Sequence, residues 1–102
     1  MSESKIEIEI ENVNTPGQTA QVNAAKYTEM RRAYLNGLTD TAPGMTADEA
    51  KEAAKQTLSA DLFPNGATSG WWAKTVQLDL EAKGIVARSN TKPLRFYKTG
   101  PE

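Results

Sequence analysis

The chain has 102 residues, of which 38% are hydrophobic and 25% are charged, as is typical of a soluble globular domain. It contains no cysteine and no histidine, which excludes disulfides, thiolate and imidazole metal sites, cysteine nucleophiles and histidine-based catalytic triads. No stretch approaches the roughly 18 apolar residues of a membrane helix, and the first residues form no apolar signal core. We therefore expect one cytoplasmic domain over residues 1–102, with no membrane partner.

The net charge is −1, but it is unevenly distributed along the chain. Residues 1–69 carry six Lys or Arg against ten Asp or Glu, a balance of −4. Residues 70–102 carry six against three, a balance of +3, so the C-terminal part is the one that a polyanion would attract. Charge asymmetries of this size also arise by chance in small domains. The charge distribution alone therefore leaves open whether the C-terminal part binds a polyanion or is merely solvated.

The N-terminal region is predicted to form a strand over residues 5–13, after a disordered segment over residues 1–4. Isoleucine and glutamate alternate from Ile6 to Glu11, a period of two that places the isoleucines on one face and the carboxylates on the other. The pattern indicates a half-buried strand with a solvated acidic face rather than a metal or acid–base site. Asn14 to Gly17 has the composition of a turn.

Two helices are predicted in the middle of the chain. The first begins at the cap residue Asn23 and ends near Gly37, which would close it in the left-handed conformation. The second begins with a capping box formed by Thr46 and Glu49 and continues to about Leu58. The inner faces are predicted to carry Tyr27, Met30, Tyr34 and Leu38 in the first helix and Ala47, Ala50, Ala53, Ala54, Thr57 and Leu58 in the second.

A third helix is predicted over residues 70–83, with Ser69 as its cap and Gly84 just beyond its end. It follows a link rich in turn residues, Ser59 to Thr68, in which Leu62 and Phe63 are candidate anchors. The core face is predicted to carry Trp72, Ala73, Val76 and Leu80.

The opposite face of this helix is unexpectedly apolar for a surface that would read DNA bases. It carries Trp71, Thr75, Leu78 and Ala82, flanked by Lys74 and Glu81. Trp71 and Leu78 would form an exposed apolar patch unless something covers them. The N-terminal strand, a second protein or a second copy of the chain could each do so.

The last part of the chain reads as a basic β-hairpin. Residues 85–88 and 94–97 have strand composition and are joined by a loop of five residues, 89–93. Three helices followed by such a wing predict an α+β fold, a winged helix-turn-helix with an extra N-terminal strand. Candidate DNA contacts are Lys74, Thr75 and Gln77 toward bases and Arg88, Lys92 and Arg95 toward phosphates. The alternative is a solvated hairpin edge kept soluble by its charges.

Two resemblances accompany this pattern. The run LEAKGIVAR resembles the end of the recognition helix and the first wing strand of MarR-type winged-helix regulators, with Leu80, Gly84, Ile85, Val86 and Arg88 at the matching positions. Over nearly its whole length the chain is similar to an uncharacterised family of small bacterial proteins, a domain of unknown function, through ENVNTPGQTAQVNAAKY, DLFPNGATSGWWAKTVQLDLEAKGIVAR and TKPLRFYK. That similarity implies a winged-helix-like bacterial protein and supplies no catalytic residue.

Two functions are therefore predicted from different classes. The first is a small DNA-binding regulator that uses the residues named above. The second is a protein-interaction or homodimerisation module with Trp71 and Leu78 as anchors. We do not expect an enzyme, because the sequence offers no catalytic constellation; Asp79 and Glu81, for example, point to different sides of a helix and cannot flank one bond. We also expect no cofactor and no metal.

Overall fold

The computed structural model describes residues 6–99, apart from the side chain of Asn65. Over these residues the fold is α+β, with three α-helices, one 3-10 turn and two antiparallel sheets. The predictions for residues 1–5 lie outside the described residues. The elements in chain order are β1 (Glu7–Glu11), β2 (Thr19–Asn23), α1 (Ala24–Gly37), β3 (Met45–Thr46), α2 (Ala47–Lys55), the 3-10 turn (Pro64–Gly66), α3 (Ser69–Ala82), β4 (Val86–Ser89) and β5 (Arg95–Lys98).

The first sheet is an N-terminal hairpin of β1 and β2, in which Glu7 is opposite Asn23 and Glu11 is opposite Thr19. The predicted half-buried strand is confirmed, although it is shorter than predicted: Ile10 is buried in the core while the glutamates of β1 are exposed. The sequence analysis did not predict β2. Its residues, TAQVN, carry no alternation of large apolar side chains and are mostly exposed.

The second sheet has the strand order β3-β5-β4. The predicted C-terminal hairpin is confirmed, with Val86 opposite Lys98 and Ser89 opposite Arg95. The short strand β3, which the sequence analysis did not predict, adds to β5 and connects this hairpin to the segment between α1 and α2.

The helix α1 begins as predicted, because the Asn23 side chain accepts a hydrogen bond from the backbone N–H of Lys26. The predicted role of Gly37 is wrong: it is the last helical residue, and Leu38 follows in an extended conformation. Gly37 instead permits close packing, since an added Cβ would lie 2.8 Å from the Cβ of Ala53 in α2. The predicted inner face of α1 is confirmed.

The capping box of α2 is confirmed in both directions, with Thr46 and Glu49 each accepting a backbone hydrogen bond from the other. The helix is shorter than predicted and ends at Lys55. Of the predicted inner arc, Ala50 and Ala54 are buried. Ala53 and Leu58 are partly buried, whereas Ala47 and Thr57 are exposed.

The helix α3 begins at Ser69, one residue earlier than predicted, and the cap position is Thr68 rather than Ser69. Gly84 has a positive φ of 77°, as its predicted position beyond the helix requires. The predicted core residues of α3 are all buried, and Phe63 is buried beneath the link before it. The core lies between the three helices and is closed at its sides by Ile10 of β1 and by Val86 and Phe96 of the second sheet. No helix between residues 6 and 99 is long and apolar enough to cross a bilayer.

Glu29 of α1 secures the start of the link between α2 and α3. Its carboxylate accepts hydrogen bonds from Arg32, at 2.7 and 3.0 Å, and from the backbone N–H of Ser59, at 2.7 Å. Arg32 also donates to the carbonyl of Thr57. The hydrogen bonds from Arg32 and the bond from Ser59 hold the pKa of Glu29 below its usual range.

We expect the stabilising contribution of Glu29 to disappear in acid. Its folded-state pKa is depressed, so the contribution is present above the unfolded-state pKa and is lost as the pH falls through the folded-state pKa. Urea unfolding of the wild type and of Glu29→Gln should therefore differ at neutral pH and converge below the usual titration range of a glutamate. The exposed Glu52 provides the control, because Glu52→Gln should change stability little at any pH. A Glu29→Gln difference that grew in acid would contradict the assignment.

Candidate functional site

A groove separates the N-terminal hairpin from the outer face of α3. It encloses about 520 Å³, a volume within the range of ligand and peptide sites. One wall is formed by Trp71, Lys74, Thr75 and Leu78 of α3. The facing wall is formed by the end of β1, the turn after it and the residues from Gln18 to Val22. The hairpin therefore covers the apolar face of α3 only in part, and a cleft remains between them.

The groove is lined by both strands of the hairpin. Consecutive residues of a strand point to opposite faces, yet Thr19, Ala20, Gln21 and Val22 all line the same groove. Ile10 and Glu11 of β1 line it as well, and the Glu11 N–H that bonds to Asp79 of α3 points away from β2, so β1 lies between β2 and this part of α3. Within residues 6–99, β2 pairs with β1 alone, so its other edge presents unpaired backbone groups.

The two walls are joined by Asp79 of α3, which is fully buried. Its carboxylate accepts hydrogen bonds from the backbone N–H of Glu11 at 2.8 Å, from the Lys83 ammonium at 2.6 Å and from the Tyr27 hydroxyl. Burial, followed by the hydrogen bond to Asp79, raises the pKa of Tyr27 well above its usual value. The Val13 N–H also donates to the Leu78 carbonyl at 3.3 Å. These bonds fix the position of the hairpin against α3.

Trp71 lies at the edge of the groove with 58% of its surface exposed. Its ring packs edge-on against Trp72, with ring centroids 5.0 Å apart, and the buried Trp72 packs edge-on against Phe63. The exposed indole is therefore supported by two aromatic rings that belong to the core. A partner that covered it would bury a large side chain already held in position.

The structure separates the predicted base-reading residues of α3. Lys74 is exposed and Thr75 is partly buried, and both lie on the groove wall. Gln77, predicted to lie on the outer surface, is instead buried with 3% of its surface exposed, and its amide donates to Glu81 at 2.7 Å. Gln77 is three residues before the core residue Leu80 and four after Ala73, and this spacing could have predicted its burial.

The predicted phosphate-binding residues also divide into two groups. Arg88 forms a two-point ion pair with Glu81, at 3.0 and 3.2 Å, and its guanidinium lies 5.6 Å from the centre of the Phe96 ring. Arg95 lies 3.6 Å from Glu49 and donates to the Gly44 carbonyl. Lys92 is exposed in the hairpin loop and has no ion-pair partner within the described chain. Two of the three charges are therefore balanced by carboxylates of the chain itself.

Asp79 is the site residue that the sequence analysis missed. A charged residue on a helix is expected to be exposed, and the predicted core face omitted it. However, Asp79 follows Val76 by three residues and Trp72 by seven, so it lies on the same face as both. In the part of the chain that the structure describes, no three acidic residues are grouped in a way that could hold a metal ion.

Comparison with known proteins gives one family match. The model of a family of unknown function, DUF6958, matches residues 7–96. No curated protein and no solved structure matches the chain. The matched residues include the hairpin, the three helices, the groove and all but the end of the second sheet, and the chain therefore belongs to the DUF6958 family of unknown function.

Proposed function

We propose that the domain is a protein-interaction module whose binding site is the groove between the N-terminal hairpin and α3. The observation that carries this proposal is the exposed indole of Trp71, which borders an open apolar groove and is supported from behind by Trp72. Tryptophan is enriched among the residues that dominate binding energy at protein interfaces, where surrounding contacts exclude water from it. Leu78 lies on the same wall and provides a second apolar contact.

The electrostatics of the site also favour a polypeptide over a nucleic acid. Arg88 and Arg95 are paired with Glu81 and Glu49, so binding phosphates would require these ion pairs to be broken or shared. The carboxylates of β1 are exposed on the hairpin that forms the facing wall, and they would repel a phosphate backbone laid along α3.

We expect Trp71→Ala to weaken binding strongly without unfolding the domain. Peptides would be selected from a displayed random library on the immobilised wild-type domain, and their dissociation constants measured for wild type and variant. Truncating an anchor of this kind costs at least about 2 kcal/mol, or roughly 30-fold in affinity. Leu94→Ala is the matched control, because Leu94 is also a large exposed apolar residue but does not line the groove. Selected peptides that bound the wild type and Trp71→Ala equally would refute the proposal, provided that both proteins unfold at similar temperatures.

A second candidate, binding of double-stranded DNA by a winged helix, is favoured by the order of the elements. The short strand β3 lies between the first two helices, and the hairpin of β4 and β5 that follows α3 pairs with it. This is the arrangement that joins the wing of a winged helix to its helices. Lys74, Lys92 and Lys98 have no ion-pair partner within residues 6–99 and would be available to phosphates.

Titration of the isotope-labelled domain with a mixed-sequence duplex distinguishes the two candidates. Salt-sensitive shifts of the backbone amides of Lys74, Thr75 and Lys92 would favour DNA. An unchanged spectrum at low salt, where even nonspecific DNA-binding proteins respond, would refute this second candidate.

A further inference from the structure

We propose that a slot between α2 and α3, separate from the groove, binds a small carboxylate. The slot is lined by the start of α2, by α3 from Gly70 to Gln77 and by Tyr34 of α1. It encloses about 180 Å³. For comparison, a cavity of about 150 Å³ accommodates a molecule the size of benzene. Among the described residues only Lys74 borders both the slot and the groove, so the two sites could be occupied independently.

The hydroxyl of Tyr34 is the observation that points to a ligand. Tyr34 has 1% of its surface exposed, and its side-chain oxygen has no hydrogen-bond partner among residues 6–99. A buried hydroxyl is costly to leave unpaired, and most are satisfied. Because Tyr34 belongs to α1 whereas the rest of the lining belongs to α2 and α3, its side chain extends between these two helices. The slot therefore lies beside a buried group that lacks a partner.

The Tyr34 hydroxyl is available as a hydrogen-bond donor. Burial, and then the negative charge of Glu81, raise the pKa of Tyr34 well above its usual value, so the hydroxyl stays protonated. The carboxylate of Glu81 accepts hydrogen bonds from Gln77 at 2.7 Å and from Arg88 at 3.0 and 3.2 Å. Glu81 thus influences Tyr34 through its charge and is bonded to other residues. A ligand oxygen could accept the Tyr34 proton instead.

The starts of two helices border the slot and favour an anion. The capping box of α2 satisfies the N–H groups of Thr46 and Glu49, whereas the N–H groups between them have no acceptor within the helix. Gly70 lies in the first turn of α3, and no side chain of the described residues caps the start of that helix. Helix N-termini carry a partial positive charge that attracts carboxylates and phosphates.

Two lysines add full positive charges to the slot. The side chain of Lys51 packs beside Gly70, where an added Cβ would lie 3.9 Å from its Cδ. The Lys51 ammonium lies 4.0 Å from Asp48 and 3.9 Å from Glu52, distances at the outer limit of an ion pair. Asp48 also lines the slot, but its side chain is 93% exposed and so faces solvent. Lys74 is exposed and has no ion-pair partner within the described chain.

The lining between these charges favours an organic acid over an inorganic anion. Ala47, Gly70 and Ala73 present small apolar surfaces to the slot. A short hydrocarbon chain would contact them while its carboxylate met the Tyr34 hydroxyl and the lysines. Inorganic phosphate would leave the apolar surface uncovered. The volume suits a ligand of about six non-hydrogen atoms, as in butyrate.

Butyrate is therefore the probe, titrated into the isotope-labelled domain at constant ionic strength. We expect saturable shifts of the amides of Gly70, Ala73 and Gln77. Butyramide, which has the same size but no charge, and inorganic phosphate should each bind at least about tenfold more weakly. Equal binding of butyrate and butyramide would overturn the anionic class of the ligand. Phosphate that bound as tightly as butyrate would overturn the assignment to an organic acid.

Tyr34→Phe tests the hydroxyl, because it keeps the ring and removes only the oxygen. The variant should bind butyrate at least about tenfold more weakly than the wild type does. Its melting temperature without butyrate should be unchanged or higher, since the lost group had no partner. Tyr97→Phe is the matched control, because Tyr97 is also partly buried but does not line the slot. Equal affinity of Tyr34→Phe and the wild type for butyrate would refute the role of the hydroxyl.

Lys51→Gln tests the charge, with Lys55→Gln as its matched control. Both lysines belong to α2 and contact Glu52, but only Lys51 lines the slot. Lys51→Gln should weaken butyrate binding several-fold, whereas Lys55→Gln should leave it unchanged. Equal losses in the two variants would show an effect of net charge alone and would overturn the site.

An ordered water bonded to Tyr34 is the competing explanation of the unpaired hydroxyl. In that case butyrate would shift none of the lining amides and Tyr34→Phe would lower the melting temperature, and the proposal would fail. This failure is distinct from failure of the interaction function, which is measured by peptide binding at Trp71, a residue outside the slot.

Discussion

Replacing Asp79 by alanine is expected to lower the free energy of unfolding by about 3–5 kcal/mol. The carboxylate is fully buried and accepts hydrogen bonds from Glu11, Tyr27 and Lys83. Its removal leaves a partly buried backbone N–H and a buried hydroxyl without partners, and each buried group of this kind costs about 1–3 kcal/mol. Because Glu11 belongs to β1, the variant should also release the hairpin from α3.

Urea unfolding would measure the effect, with amide exchange of β1 reporting on the hairpin. Asp61→Ala is the matched control, since it removes an exposed carboxylate and should change stability by no more than about 0.5 kcal/mol. Asp79→Asn retains the shape but replaces one acceptor oxygen with a donor, so an intermediate loss is expected. A loss below about 1 kcal/mol for Asp79→Ala would show that the network contributes little to folding.

Substituting Gly44 by alanine is expected to destabilise the second sheet strongly. Gly44 has a positive φ of 99°, and an added Cβ would overlap the carbonyl of Phe96 in β5, lying 2.5 Å from its carbon atom. Both atoms of Phe96 belong to the backbone, so the clash can be relieved only by moving β3 away from β5. Overpacking of this kind adds about 1–3 kcal/mol to the cost of the unfavourable φ.

Gly17→Ala separates the clash from the backbone conformation. Gly17 also has a positive φ, 87°, but a Cβ there would meet nothing within 4 Å. The Gly17→Ala variant should therefore lose only the free energy of placing alanine at a positive φ, about 1–2 kcal/mol. Thermal unfolding of both variants would measure the difference, and equal losses would contradict the predicted contact between Gly44 and β5.

The sequence predicted those parts of the fold that are determined by local chemistry. Asn23 and the Thr46–Glu49 pair begin helices because their side chains satisfy backbone groups a few residues away. Gly84 ends α3 because the backbone needs a positive φ at that position. These signals depend on no distant partner, so a single sequence is sufficient to recognise them.

The parts that were missed depend on contacts between distant residues. The sequence of β2 has no apolar alternation, because one of its edges is open and most of its side chains face solvent. The two residues of β3 form a strand only because β5 is beside them. The bond that Asp79 accepts from Glu11 joins residues 68 apart in the sequence, and the surroundings of Trp71 depend on where the hairpin lies. The candidate site could thus be predicted as an apolar face of α3, but not as a groove.

The attachment of the hairpin through Asp79 links the groove to the stability of the whole domain. A two-stranded hairpin is at best marginally stable alone, so the order of this one depends on its bonds to α3 and on Ile10 in the core. A ligand that binds only the folded hairpin must then stabilise the helices as well. At a concentration one hundred times its dissociation constant, that stabilisation amounts to about 2.7 kcal/mol. Occupancy of the groove would therefore be measurable as a rise in the melting temperature of the whole domain.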